Sequence, residues 1–238
     1  MKRRRRPIAQ SAALALSAAL VLAAPALSLP RALSSYYLGP KLIRAEIFLK
    51  AGGIQHDYRI DVGRIRSVSV VNQTITLKER DGTTQPIPIG VAARIRVNGH
   101  AANVRALRAG MYATTVRDGD QPAEQVFASR VAPKRPLPRS LEVYYLGAKM
   151  IRAEIVLKSG STLHDYRIDV GRIRSTSTAT QTIMLRERDG SMQSIQVAPT
   201  ARIIVNGSSS SFAALHQGMH ATTIRDGDAP ADQVFATQ

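Results

Sequence analysis

The sequence predicts an all-β protein built as two tandem small β-barrels behind an N-terminal signal peptide. Three observations carry that expectation. Sliding the 238-residue chain on itself by 108 positions aligns 36–129 with 144–237 without a gap, and 59 of those 94 positions are identical. Within each copy, short stretches of alternating apolar and polar residues are separated by turn pairs, the pattern of half-buried strands. The first 28 residues have a different composition from everything that follows.

The leader comes first in the chain. Lys2 and Arg3 to Arg6 form a cationic start, Ile8 to Ala24 an Ala/Leu-rich stretch, and Ala24-Pro25-Ala26 a small-residue cleavage signal. This layout reads as a secretory signal peptide over residues 1–28, so the protein is expected to be exported: periplasmic, wall-associated or extracellular. The alternative is an uncleaved anchor, but 17 residues interrupted by Gln10, Ser11 and Ser17 are short for a hydrocarbon core ~30 Å thick. The whole chain holds 33 Lys plus Arg against 17 Asp plus Glu, and removing the leader lowers the formal charge from +16 to +11. There is no Cys, which excludes disulfides, thiolate catalysis and Cys-ligated zinc or iron-sulfur clusters.

Each copy then reads as strands almost throughout. Ile43 to Lys50 alternates, Gly52-Gly53 permits a turn, and Tyr58-Ile60-Val62 opens the returning strand of a hairpin. Further strands are expected over Arg64 to Val70, Thr74 to Arg80 with the Asp81-Gly82 turn, Thr84 to Ile89, and Arg94 to Val97 with the Asn98-Gly99 turn. Met111 to Arg117 and Glu124 to Ala128 complete the set. One short helical piece follows Asn103, or Ser211 in the second copy, and ends at Gly110 or Gly218. Seven strands in ~95 residues point to a barrel, because closure removes exposed edges. A unit of 108 residues is too long for a solenoid repeat, so each copy (36–129 and 144–237) is a small domain. Residues 130–143 between them read as a Pro/Arg-rich linker; its eleven-residue extended reach at ~3.1 Å per residue is up to ~34 Å, and it equally permits close packing of the copies.

Gly63-Arg64-Ile65, Thr74-Ile75-Thr76-Leu77, Asp81-Gly82, Ala93 to Gly99, Leu107 to Met111 and Gln125 to Ala128 together resemble the exported bacterial OB-like domain known as domain of unknown function 5666. The second copy matches through Gly171, Asp189-Gly190, Asn206-Gly207 and Gly218. The resemblance covers about two thirds of each copy and leaves residues 36–62 outside it. It implies two OB-like barrels, each carrying an added N-terminal hairpin, and it supplies no catalytic residues.

No nucleophile elbow, P-loop, G-x-G-x-x-G or H-E-x-x-H signature occurs. The polar segment His56-Asp57-Tyr58-Arg59-Ile60-Asp61 repeats from His164 to Asp169. One reading makes His56, Asp57 and Asp61, with His164, Asp165 and Asp169, metal or acid–base candidates. On a strand, however, adjacent His and Asp point to opposite faces, and an acid–base–acid ladder on a solvated face is the reading adopted. Asp118-Gly119-Asp120 and Asp226-Gly227-Asp228 read as hairpin turns, since a calcium loop needs further acidic ligands.

Arg64 and Arg66, Arg94 and Arg96, and in the second copy Arg172, Arg174 and Arg202, alternate with apolar residues and are the anion-binding candidates. Tyr36, Tyr37, Tyr144 and Tyr145 are the aromatic contact candidates. Basicity is spread over both copies and the linker, so nucleic acid is not the expected partner. The leading expectation is a non-enzymatic, bivalent binding module whose partner is an anionic envelope polymer, a membrane surface or an envelope protein, with no cofactor. The alternatives are an enzyme or metal-dependent module using the His-Asp-Tyr-Arg-Ile-Asp segment, and a self-assembling structural protein.

Overall fold

The computed structural model describes residues 29–238, so the expected signal peptide lies outside the described residues. No helix among the described residues is long and apolar enough to cross a membrane. The protein is all-β apart from short helical turns. The first copy contains α1 (Arg31–Tyr37), β1 (Leu42–Ala51), β2 (Ile54–Ser69), β3 (Thr74–Glu79), β4 (Thr84–Val97), β5 (His100–Ala102), β6 (Tyr112–Asp118) and β7 (Ala123–Ser129). The second contains α2 (Arg139–Tyr145), β8 (Met150–Ser159), β9 (Thr162–Ser177), β10 (Thr182–Glu187), β11 (Met192–Val205), β12 (Ser208–Ser210), β13 (His220–Asp226) and β14 (Ala231–Thr237).

Two expected strand pairs turn out to be single long strands. Tyr58–Val62 and Arg64–Val70 fuse into the 16-residue β2, which pairs successively with β1, β6 and β3. Gly63 makes this passage possible: a Cβ there would lie 2.6 Å from the Lys78 carbonyl oxygen. Thr84–Ile89 and Arg94–Val97 likewise fuse into β4. Its parallel register with β7 jumps from Ile89↔Ala123 to Arg94↔Gln125, so 90–93 bulge outward and leave Val91 98% exposed. The turn Asn98-Gly99 forms as expected, with φ of 50° and 86°, and leads into the short β5.

The pairings β2–β3, β3–β4, β4–β7, β7–β6 and β6–β2 return to their starting strand, and only β4–β7 is parallel. Strands β9, β10, β11, β14 and β13 repeat this ring. Each ring encloses its own apolar cluster, with Ile65, Ile75, Leu77, Ile87 and Val126 in one, and Ile173, Ile183, Leu185, Ile195 and Val234 in the other.

A third cluster joins the copies. β1 and β8 pair antiparallel, merging both rings into one 14-stranded sheet among the described residues. Glu46 stands opposite Glu154, its own repeat counterpart, so a local twofold axis passes through that pair. The helices cross over this axis: Tyr37 packs on Tyr166 and Tyr145 on Tyr58, each at 5.1 Å between ring centroids. Each copy therefore lends its helix to the other.

Residues 130–143 were expected to be a linker without an apolar period, yet α2 begins inside them. Leu141 and Tyr145 fall four apart, on one helix face, and Tyr145 is buried against the joint together with Leu137, which precedes the Pro138 cap. The Pro138 carbonyl accepts from the amides of Leu141 and Glu142. Such a helix is too short to hold by itself; burial of its tyrosine by the other copy supplies what propensity cannot.

Candidate anion-binding surface

The repeated His-Asp-Tyr-Arg-Ile-Asp segment lies where the hairpin strand enters the ring, and its residues diverge as alternation dictates. His56 Nδ1 lies 2.7 Å from Asp118 Oδ2, and the Asp57 amide donates to Asp118 Oδ1 at 3.0 Å. His164 and Asp226 repeat the pair at 2.6 Å. Each imidazole stacks on the following tyrosine, Tyr58 or Tyr166. On the opposite face Asp57 shares Arg59 with Glu46 and Asp120. Burial first, then Glu46 beside it, pushes the Asp57 carboxyl up to about 6. Asp61 is buried, which raises its pKa against the opposing pull of Arg117 and a Thr115 hydroxyl hydrogen bond. Asp169 repeats this with Arg225, and Asp165 pairs with Arg167. Thus His56 is separated from Asp57 and Asp61 by the thickness of the strand. Among the described residues no group of three or more His, Asp or Glu side chains is placed to hold a metal ion.

The turn aspartates, read as ordinary hairpin features, serve as anchors: Asp118 holds His56 and Asp120 holds Arg59 at 2.6 Å. A second anchor is Arg44, whose Nη1 lies 2.6 Å from both Glu79 and Asp81. Arg152 makes the same bridge to Glu187 and Asp189 at 2.7 Å. Among the described residues every acidic side chain except Glu124, Glu154 and Asp232 pairs with an arginine or, for Asp118 and Asp226, with a histidine, and almost all of these pairs fasten hairpin to ring or strand to strand.

Most acids are thereby consumed, and four of the cations left over stand together on the outer face of β2 and β3. Arg64 and Arg66 project from β2 with Ile65 buried between them, and Lys78 and Arg80 project from and just beyond β3. Arg64 stands directly opposite Lys78 in the register. None of the four makes an ion pair among the described residues; Glu79, between Lys78 and Arg80, points inward to Arg44. The Arg64 guanidinium sits 4.9 Å from the centre of the Tyr112 ring, and Arg80 donates to the Pro40 carbonyl. Together with Pro133 and Pro136 of the connecting segment these residues line a groove of ≈ 740 Å³.

The second copy keeps the charge pattern with Arg172, Arg174, Arg186 and Arg188, and Arg172 faces Arg186. Tyr112 becomes His220, whose pKa is lowered by burial and by the charges of Arg172 and Arg188. Lys78, Arg80 and their counterparts escaped the sequence reading. Their signal was the i, i+2 spacing around Glu79, which became meaningful only once the hairpin register set them beside Arg64.

The remaining candidates divide. Arg94 and Arg96 sit on β4 in a groove between that strand and α2, where Arg94 and Tyr144 of the second copy line the same hollow. Arg202 has the equivalent place on β11, with Ile204 where Arg96 would be. Tyr37 and Tyr145 are 1% exposed and serve the joint. Tyr36 and Tyr144 reach the surface with Lys41 and Lys149 near their rings, at 5.8 and 5.6 Å. Compared with known proteins, the chain matches no family model and no curated protein.

Proposed function

We propose that this protein is a non-enzymatic, two-site anion-recognition module, exported to the bacterial envelope or extracellular space and built from two OB-like β-barrels. The five-strand ring with a single parallel pair supports the barrel reading, since that is the closure expected of a small Greek-key barrel. The leader sequence supports export.

One observation carries the binding reading: in both copies two cations stand directly opposite across β2–β3 or β9–β10 and make no ion pair among the described residues, the adjacent Glu79 and Glu187 being held by Arg44 and Arg152. Like charges in that position cost stability, and a bound anion removes the cost. An anionic envelope polymer is the partner proposed, because a chain of charges can engage both faces and convert two weak contacts into avidity.

The test is binding of the purified protein to an acidic envelope polysaccharide, anionic vesicles and single-stranded DNA across a salt series. Saturable binding to the polysaccharide that persists at ~0.15 M salt, where the screening length is ~8 Å, is expected. Replacing Arg64 and Arg66 by Gln is expected to reduce the apparent affinity to that of a single face. Equal binding to every polyanion, vanishing with salt, refutes the proposal; so does an affinity untouched by the substitutions.

A further inference from the structure

A groove away from the β2–β3 face is formed jointly by the two copies. Where β4 of the first copy faces α2 of the second, two adjoining hollows of ≈ 460 and ≈ 520 Å³ share Arg94, Gln125 and Leu141. Arg94 and Arg96 emerge on the same side of β4, with Ile95 buried between them and register partners Gln125, Val126 and Phe127 on β7. Arg94 makes no ion pair among the described residues, and Arg96 donates only to the Gly99 carbonyl, at 3.2 Å. Leu141 and Tyr144 form the facing wall.

The geometry points to an extended acidic peptide segment of a protein partner, with carboxylates on alternate residues, as the occupant of this groove. Two side chains at i and i+2 of a strand are spaced about 7 Å along it, and an extended peptide repeats its own side chains at the same interval. Each arginine then meets one carboxylate in a charge-assisted pair. Glu124 lines the end near Tyr58 and disfavours a third carboxylate there, which gives the segment a direction. Flat stacking is poorly served, since one face of Tyr58 is covered by His56 and Lys149 lies over Tyr144. At the counterpart position β11 has Arg202 but Ile204 in place of Arg96, so it lacks the spaced pair and the site occurs once among the described residues.

This proposal is independent of the β2–β3 face. It is tested by fluorescence anisotropy of the purified protein with short synthetic peptides at ~0.15 M salt, one carrying Glu-Ala-Glu and another the same residues with the two Glu adjacent. The alternating peptide is expected to bind with one site per chain and about tenfold more tightly than the other, the worth of one well-placed charged contact. Arg94→Gln with Arg96→Gln should abolish binding, while Arg202→Gln, and Arg64→Gln with Arg66→Gln, should leave it intact. Unfolding midpoints of the Arg94 and Arg96 variants check that both exposed positions leave the fold unchanged. Equal affinity for the two peptides, two sites per chain, persistence of binding in the Arg94/Arg96 variant, or occupation of the groove by an acidic glycan and not by peptide overturns it.

Discussion

Replacing Arg44 by Met should destabilise the protein in a way that depends on pH, because Arg44 is what allows Glu79 to remain charged indoors. Glu79 is 3% exposed and one of its carboxylate oxygens has no hydrogen-bond partner. Burial pushes its pKa from 4.5 to about 7, and the Arg44 guanidinium at 2.6 Å only partly opposes this. A carboxyl whose folded pKa exceeds its unfolded value favours folding below the unfolded pKa, and that contribution is lost as pH rises through the folded one. Here the window runs from 4.5 to about 7, and the gap corresponds to at most about 3 kcal/mol. Without Arg44 the pKa rises further and Glu79 takes up a proton instead of standing as a bare buried charge. Proton uptake therefore caps the added penalty. It should be absent at pH 5 and should grow by about 1.4 kcal/mol for each pH unit above 7, on top of a pH-independent loss of packing and of the partly buried Arg44–Asp81 contact. Urea unfolding of wild type, Arg44→Met and Glu79→Gln at pH 5, 7, 8 and 9 reads this directly, and the matching network around Glu187 cancels in the differences. Glu79→Gln should flatten the slope between 4.5 and about 7. An Arg44→Met penalty equal at pH 5 and 9 would refute the reasoning, as would a Glu79→Gln variant keeping the wild-type slope.

Gly63→Ala should cost about 1–3 kcal/mol in the same assay, since the new Cβ lies 2.6 Å from a backbone oxygen of β3; a neutral effect would mean that the strands can separate there at no cost. A first-copy fragment, residues 29–137, should form a homodimer by light scattering, with β1 of two chains taking the places of β1 and β8 and each Tyr37 seated on the partner fragment; a stable monomer would show that the joint is not self-complementary. In a variant with Arg64→Gln and Arg66→Gln, polysaccharide binding should strengthen as pH falls from 7.5 to 5. Burial and the charges of Arg172 and Arg188 lower the pKa of His220 in the free protein, and a bound anion favours its protonation. Affinity should rise by at most about tenfold per pH unit and flatten in His220→Gln, and pH-independent binding counts against His220 facing the ligand.

Alternation and turn chemistry were local, and the sequence displayed them openly. The hairpin at Gly52-Gly53, the turn at Asn98-Gly99 and most strand positions could be read residue by residue, because period-two burial is set by the backbone alone. Fusion of neighbouring strands into β2 and β4 was hidden, since Gly63 and residues 90–93 look like breaks until a partner strand on each side shows that pairing continues through them. The helices were hidden for a related reason: seven residues around a Tyr-Tyr pair have no helical future unless another copy buries the second tyrosine.

The candidate sites divide along the same line. Arg64 and Arg66 were visible from their spacing, but the sequence spread its positive charge evenly and offered no reason to prefer one arginine over another. Tertiary structure made the choice by using up the acids. Arg44, Arg59 and Arg117 are neutralised at the joints, whereas Arg64, Lys78 and Arg94 face solvent without an ion pair among the described residues. What the sequence determined by itself was the duplication, the β character and the sign of the net charge, all properties of order and composition. Only tertiary structure decided that β1 pairs with β8, that the helices cross over, and which cations remain free. Those depend on contacts between residues far apart in the chain, and no local pattern encodes the partner of an edge strand or of a charge.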